Sequence, residues 1–78
     1  MTDVTELVME AVAEMAQKEP GTLSLETRLA EDLMLKSINR IELAAVLEDK
    51  LNVPITNFDI LKLRTIGQIV DMVLAKRK

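Results

Sequence analysis

The chain has 78 residues, carries a net charge of −3 and contains neither cysteine nor histidine. These absences exclude disulfides, thiolate metal sites and a cysteine nucleophile, and they remove the commonest general base. Phe58 is the only aromatic residue, and no apolar run reaches the roughly 18 residues of a membrane span, which argues against base-stacking nucleic-acid binders and membrane insertion.

Length and composition favour a single all-helical domain over residues 1–78. The N-terminus lacks the basic region of a secretory signal, so we expect a cytoplasmic protein. Charge is uneven: residues 1–35 carry eight acids against two bases, whereas residues 36–78 carry five acids against eight bases. The sign changes at Lys36. This asymmetry indicates a charged partner, and the alternative is that the charges only solvate helix faces.

A first helix is predicted over residues 3–18, where apolar residues recur at helical spacing. Asp3, or Thr2 before it, is the expected N-cap, Glu6 would complete a capping box, and Pro20-Gly21 marks the end. The connection over residues 19–36 is too apolar for a free linker, so we expect it to be pinned to the core, with one helical turn near residues 28–32. The side chains expected to pin it are Leu23, Leu25, Leu29, Leu33, Met34 and Leu35.

Three further helices complete the predicted bundle. The second should run from Ser37 or Ile38 to about Leu51, with Ser37 as its N-cap. A short third piece is expected over residues 57–61, with Asn57 as its cap. The last helix should open with a capping box of Thr65 and Gln68 and end in the cations of residues 76–78. Its apolar stripe would be Ile66, Ile69, Val70 and Val73.

The second helix has two apolar faces when each residue advances by about 100°. Leu43, Ala44, Leu47 and Leu51 form one face, which suits the core. Ile38, Ile41 and Ala45 form the other, rimmed by Glu42, Glu48 and Asp49. An apolar patch with an acidic rim is typical of an interface, but a central helix buried on both sides would give the same pattern. None of the charges on this helix has an opposite charge three or four residues away, so we expect them to be available to a partner.

Ser37 stands at the start of this helix, where unpaired N–H groups and the helix dipole favour an anion. Lys36 and Arg40 are cations at the same end, where the dipole disfavours them, and an anion there would offset that cost. The residues alone favour an ordinary N-cap as the interpretation of Ser37 over an attachment site. Without histidine or another evident base nearby, the serine is not a hydrolase nucleophile.

Residues 32–43, DLMLKSINRIEL, resemble the prosthetic-group motif of acyl carrier proteins, which reads Asp-Leu-Gly-x-Asp-Ser-Leu followed by an apolar-Glu-Leu step. The similarity continues through residues 47–51, 53–55 and 63–66, and together with the first helix it covers nearly the whole chain. It implies the acyl-carrier-type four-helix bundle, with a short third helix and a long loop after the first.

The resemblance also implies a mechanism for a protein that is not itself an enzyme. A phosphopantetheinyl transferase would attach 4′-phosphopantetheine from coenzyme A to Ser37, and the arm would carry acyl groups as thioesters to acyl-transferring and acyl-modifying enzymes. We expect a monomer that binds neither nucleic acid nor metal, with the acyl chain entering between Leu47, Ile55 and Leu63. The implied partner-docking residues are Lys36, Ile38, Arg40, Ile41, Glu42, Ala45, Glu48 and Asp49.

Departures from the family pattern are concentrated beside Ser37. Lys36 replaces the usual acid, Met34 the usual glycine and Ile38 the usual leucine. Because Lys36 and Arg40 make the site basic, the sequence favours a specialised fatty-acid, lipid or polyketide pathway. Two alternatives remain open: a related interaction module that is not modified, in which Ser37 is only a cap, and a carrier of aminoacyl or peptidyl groups.

Overall fold

The computed structural model describes residues 3–77, which form four α-helices and a 3₁₀ turn at Pro20–Thr22. Helix α1 packs against α2 and α4, and α2 packs against α3. Residues 3–77 contain no strand, only an isolated bridge between Arg28 and Thr65. The predicted helical bundle is confirmed, and none of the described helices is long and apolar enough to cross a membrane. The helices are α1 (Val4–Ala16), α2 (Ser37–Leu51), α3 (Asn57–Leu61) and α4 (Ile66–Lys76).

Helix α1 ends earlier than predicted and is capped differently. Gln17 adopts a left-handed conformation with φ 57° and closes the helix by donating its N–H to the carbonyls of Ala13 and Glu14. Asp3 occupies the N-cap position, but its side chain makes no capping hydrogen bond, so the predicted box with Glu6 is wrong. The alternative cap at Thr2 and the terminal cation Lys78 lie outside the described residues.

The two C-terminal helices begin with reciprocal side-chain caps. Helix α3 has the predicted bounds, but its cap is Thr56 and not Asn57: the Thr56 Oγ1 accepts from the Asp59 N–H, and an Asp59 carboxylate oxygen accepts from the Thr56 N–H, each at 3.0 Å. The predicted capping box of α4 is confirmed, with 3.2 Å from the Gln68 N–H to Thr65 Oγ1 and 3.3 Å for the return bond.

The core lies between α1, α2 and α4 and is closed by residues of the connecting loops. Its largest fully buried side chains are aliphatic, in keeping with a chain that has one aromatic residue. The predicted core face of α2 and the predicted stripe of α4 are both buried, as expected from their helical spacing. The buried residues of these two helices are Leu43, Ala44, Leu47, Leu51, Ile66, Ile69, Val70 and Val73.

The long loop over residues 17–36 is held by fewer side chains than predicted. Leu23, Leu29 and Leu35 are buried and Leu33 is half-buried. The expectation was wrong for two others, since Leu25 is 47% exposed and Met34 is 79% exposed. The predicted helical turn is present, because the Asp32 N–H donates to the Arg28 carbonyl at 3.1 Å and the two side chains form an ion pair at 3.0 Å.

Backbone hydrogen bonds to the start of α4 supply the remaining support for this loop. The Leu29 N–H donates to the Arg64 carbonyl at 2.8 Å, and the N–H groups of Ile66 and Gly67 donate to the carbonyls of Thr27 and Leu25 at 3.1 and 2.8 Å. The contact at Gly67 is close: a β-carbon there would lie 3.0 Å from the Leu25 carbonyl oxygen. A residue without a side chain therefore lets the loop backbone approach α4.

The ion pair between Asp59 and Lys76 joins α3 to α4 and should make stability depend on pH. The Lys76 ammonium, 2.9 Å away, and the Thr56 N–H lower the pKa of Asp59 to about 2, below its ordinary value of 3.8. This stabilisation is fully present at pH values above the pKa that Asp59 has in the unfolded chain. It is lost as the pH falls through the lower pKa that Asp59 has in the folded chain. Urea unfolding of Asp59→Asn, Lys76→Gln and the double variant should give a coupling energy near neutral pH that vanishes below about pH 2. A coupling energy unchanged over that range would contradict this assignment.

Candidate functional site at the start of α2

Ser37 is the first residue of α2, and its side chain is exposed. The predicted role of Ser37 as N-cap is wrong, because Lys36 occupies the cap position with φ −83° and ψ 171°. The Ser37 Oγ accepts a long hydrogen bond of 3.4 Å from Arg40 Nη2. The hydroxyl is therefore not needed to cap the helix and lies open to solvent, where a modifying enzyme can reach it.

The N-terminus of α2 lacks the side-chain acceptor that helices usually have. A lysine ammonium donates hydrogen bonds and cannot accept one from the first-turn N–H groups. Asn39 supplies only the return half of a capping box, with its Oδ1 accepting from the Lys36 N–H at 3.0 Å. The positive end of the helix therefore remains available to an anion attached to Ser37.

Arg40 reaches from Ser37 towards α3. Its Nη1 donates to the Leu61 carbonyl at 3.5 Å, its Nη2 donates to Ser37, and its Nε is buried with no hydrogen-bond partner within residues 3–77. Both bonds are at the long end of the range for N–H···O contacts, so the guanidinium is weakly engaged. On the helical wheel Arg40 falls at about 200° from Ile38, on the side of the core face and opposite the second apolar face. The structure thus places Arg40 away from the other predicted docking residues.

The second apolar face of α2 lies at the surface. Ile38 is 66% exposed, Ala45 is exposed and Ile41 is half-buried, with Glu42 and Asp49 exposed beside them. Of the two interpretations open from the sequence, the structure favours a surface patch over a helix buried on both sides. A contiguous apolar patch with an acidic rim is suited to a partner that brings apolar and basic groups together.

Glu48 belongs to this rim but is already engaged. Its Oε1 accepts from the Ile55 N–H at 3.0 Å and so ties the segment after α2 back to the helix. We expected every charge on α2 to be available to a partner, and for Glu48 the structure shows an intramolecular role. Leu47 and Ile55, two of the three side chains expected beside an acyl chain, are buried, and Leu63 is half-buried.

Met34 has a strained backbone conformation three residues before Ser37. Its φ of 58° lies in the left-handed region, which costs a residue with a β-carbon about 1–2 kcal/mol. The glycine of the family motif falls at this position, so the turn conformation gives that glycine a physical reason. The resemblance to the family motif showed that Met34 replaces a glycine. It did not show that Met34 would keep the left-handed backbone conformation that a glycine adopts easily.

Met34→Gly should stabilise the protein because it relieves this strain while losing little burial. The gain is reduced by the greater freedom of glycine in the unfolded chain, which leaves roughly 0.5–1 kcal/mol. Chemical denaturation measures the difference. Met34→Ala is the matched control, since it shortens the side chain but keeps the β-carbon, and it should show no such gain. Equal stabilities for the two variants would refute the explanation.

The fold and the site define a class of small helical domains that present a serine at the start of the second helix, after a long ordered loop. A family model described as "Phosphopantetheine attachment site" matches residues 6–73, and the chain belongs to the acyl carrier protein family. It is 35% identical over 69 residues to the acyl carrier protein of an Exiguobacterium species, covering 88% of this chain and 87% of that protein.

Two further relatives are longer than this chain. The chain is 33% identical over 63 residues to the meromycolate extension acyl carrier protein of Mycobacterium leprae, which is 81% of this chain and 55% of that protein. It is 34% identical over 59 residues to the acyl carrier protein of Rhodococcus erythropolis, covering 76% of this chain and 65% of that protein. The chain thus spans about 55% of the length of the mycobacterial relative.

The cofactor of this family is covalently bound 4′-phosphopantetheine, and the residues at the start of α2 fit it. Its attachment needs an accessible hydroxyl and a setting that tolerates a phosphodiester. Ser37 meets the first requirement by its exposure, and the uncapped N-terminus of α2 meets the second. The other serine, Ser24, uses its Oγ locally to accept from the Glu26 N–H at 3.2 Å.

Proposed function

We propose that this chain is an acyl carrier whose 4′-phosphopantetheine arm is attached to Ser37. The observation that supports this most directly is the exposed hydroxyl of Ser37 at the uncapped start of α2. In the attachment step a transferase breaks the pyrophosphate bond of coenzyme A. The Ser37 oxygen forms the new phosphodiester, its proton is released, and adenosine 3′,5′-bisphosphate leaves. The thiol of the arm carries the acyl group as a thioester.

The chain itself supplies positioning rather than catalysis in this proposal. The dipole and free N–H groups of α2 favour the phosphodiester, and the surface patch of α2 receives the enzymes that load, modify or accept the acyl group. We further propose a monomeric single domain that acts in the cytoplasm and does not bind nucleic acid. The proposed docking surface comprises Lys36, Ile38, Ile41, Glu42, Ala45 and Asp49, together with Glu48, which also accepts from the Ile55 N–H. Arg40, the eighth residue predicted for docking, lies apart from these and reaches towards α3.

The charges beside Ser37 favour a specialised pathway over bulk fatty-acid synthesis. Lys36 is exposed where the family usually has an acid, so a partner with a basic patch would meet a like charge there. One relative named for meromycolate extension is consistent with a specialised lipid role. A general fatty-acid ketosynthase should therefore elongate chains on this carrier less readily than on an acidic carrier. Equal elongation would remove the support for a specialised pathway.

Intact-mass measurement after incubation with coenzyme A and a promiscuous phosphopantetheinyl transferase tests the attachment. We expect one phosphopantetheine on the wild-type chain and none on Ser37→Ala. Ser24→Ala is the matched control, because Ser24 and Ser37 are the two serines of the chain, and it should be modified normally.

The same measurement addresses the second candidate, an unmodified interaction module, which Lys36 in place of the usual acid favours. A folded wild-type chain that acquires no adduct with any transferase, including one from its own organism, would support that module and contradict the carrier. Loading with acyl groups but not aminoacyl groups would in turn separate an acyl carrier from an aminoacyl or peptidyl carrier.

A further inference from the structure

A cleft with a basic lining opens beside Ser37, between the long loop, α2 and the segment that joins α3 to α4. Its volume is about 510 Å³, and its charged lining consists of three cations, Arg40, Lys62 and Arg64, and one carboxylate, Glu31. Arg40 comes from α2, whereas Lys62 and Arg64 come from the segment between α3 and α4, and the fold brings the two groups together. Their excess of positive charge makes the cleft suited to an anion.

Arg40 connects this cleft to Ser37. It lines the cleft and also donates through Nη2 to the Ser37 hydroxyl, while Nη1 contacts the carbonyl of Leu61, another lining residue. Its buried Nε has no hydrogen-bond partner in the described part of the chain. A buried donor without an acceptor is costly, and a planar guanidinium with two long bonds and one free donor is well suited to an oxyanion.

Lys62 also lines the cleft, and an aromatic side chain positions its ammonium group. Its ammonium lies 5.4 Å from the centre of the Phe58 ring, a cation–π contact with an aromatic side chain that is 76% exposed. Such a contact limits the range of the lysine while leaving its N–H donors open to a further acceptor. The cleft therefore has a weakly engaged cation at its Ser37 end and a positioned cation from the end of α3.

We propose that this basic cleft binds an oxyanion carried on Ser37, an inference that rests on the proposed attachment there. Two sources supply that chemistry: the phosphodiester of the arm, next to Arg40, and a carboxylate at the far end of a carried acyl group. If the phosphodiester is the ligand, every modified form makes this interaction. If the terminal carboxylate is the ligand, an acyl chain without a terminal charge lacks the interaction.

NMR spectroscopy of four forms of the intact protein tests the proposal. The forms are the unmodified chain, the phosphopantetheinylated chain, and chains loaded by a transferase from butyryl-coenzyme A and succinyl-coenzyme A. Butyryl and succinyl groups both have four carbons, and only the succinyl group ends in a carboxylate. The readouts are the backbone amide resonances of residues 61–64 and the ³¹P resonance of the arm.

The expected result is a displacement of these amide resonances that requires the cations. A displacement present in all three modified forms identifies the phosphodiester as the ligand, and one confined to the succinyl form identifies the carboxylate. Either displacement should be lost in Arg40→Gln and in a Lys62→Gln/Arg64→Gln double variant, and it should weaken at high ionic strength. Lys50→Gln, which removes one charge at the other end of α2, should leave it unchanged.

Unmoved resonances in every modified form would overturn the proposal, as would a displacement that persists in both sets of variants. These results remain distinct from failure of the proposed function, because intact mass first shows whether the arm is attached. A circular dichroism spectrum and melting temperature for each variant separate loss of the anion site from loss of the fold. Arg40→Lys adds a further comparison, since it keeps the charge but removes the planar fork of donors, and it should retain only part of the displacement.

Discussion

Leu47→Ala should lower the free energy of unfolding by about 3 kcal/mol, the largest effect we expect from a single substitution in α2. Leu47 is fully buried in the core between the helices. Truncation to alanine removes buried methyl groups and leaves a cavity, which together cost roughly 2–5 kcal/mol in well-packed cores. Equilibrium denaturation with urea, monitored by circular dichroism, gives the difference directly.

Ile38→Ala is the matched control because it shortens a similar side chain on the opposite face of the same helix. Ile38 is 66% exposed, so its truncation should change stability by no more than about 0.5 kcal/mol. Under the proposed docking role it should instead weaken transfer of the arm or of the acyl group by partner enzymes. If the two substitutions destabilised the chain equally, the division of α2 into a core face and a docking face would be wrong.

Lys36→Asp should stabilise the unmodified chain by about 1 kcal/mol. An aspartate at the N-cap accepts from a first-turn N–H, which Lys36 cannot do, and its negative charge interacts favourably with the start of the helix. The bond from the Lys36 backbone N–H to Asn39 does not involve the lysine side chain, so the substitution leaves it in place. Thermal or urea unfolding measures the gain, which should shrink as salt screens the charge term.

Lys36→Ala separates the two contributions to that gain. Alanine removes the unfavourable positive charge but supplies no acceptor, so it should recover only the smaller, salt-dependent part. A destabilised Lys36→Asp chain would show that the lysine makes a favourable contribution that the hydrogen-bond geometry does not reveal. If the gain appears, the natural lysine costs the chain stability, and a role in partner recognition becomes its most economical explanation.

The faces of the helices could be predicted from the sequence because they depend on spacing alone. Leu43 and Leu47 lie one turn apart and fall together on the core side, as do Ile66 and Ile69 in α4. Whether the second face of α2 is buried could not be decided in this way. That depends on where α3 and the long loop pack, and the exposure of Ile38 becomes visible only in the folded chain.

Helix caps were predicted less well than helix faces, because a shift of one residue changes which side chain occupies the cap position. The caps of α2 and α3 each lie one position earlier than expected, at Lys36 and Thr56. At α3 the neighbouring threonine and asparagine are both good caps, so local preference could not choose between them. At α2 the structure uses a poor cap, and sequence preference therefore pointed to the serine. That misplacement concerns the residue that we propose carries the arm.

Contacts between distant residues could not be predicted from local patterns. The bond from the Ile55 N–H to Glu48 and the bond from Arg40 to the Leu61 carbonyl join groups whose proximity depends on how the segments after α2 turn back. The cleft beside Ser37 was missed for the same reason. Arg40 is more than 20 residues from Lys62 and Arg64 in the sequence, and the only early signal was the excess of positive charge after residue 35.

The backbone bonds between the long loop and the start of α4 have a consequence for biosynthesis. The loop leading to Ser37 is tied to Arg64, Ile66 and Gly67, which a ribosome adds well after the serine. A nascent chain that stops before residue 64 has the serine but lacks the partners that order its approach. The proposed attachment site should therefore take its final shape only when α4 has been made and has docked, so attachment of the arm is expected to follow synthesis rather than accompany it.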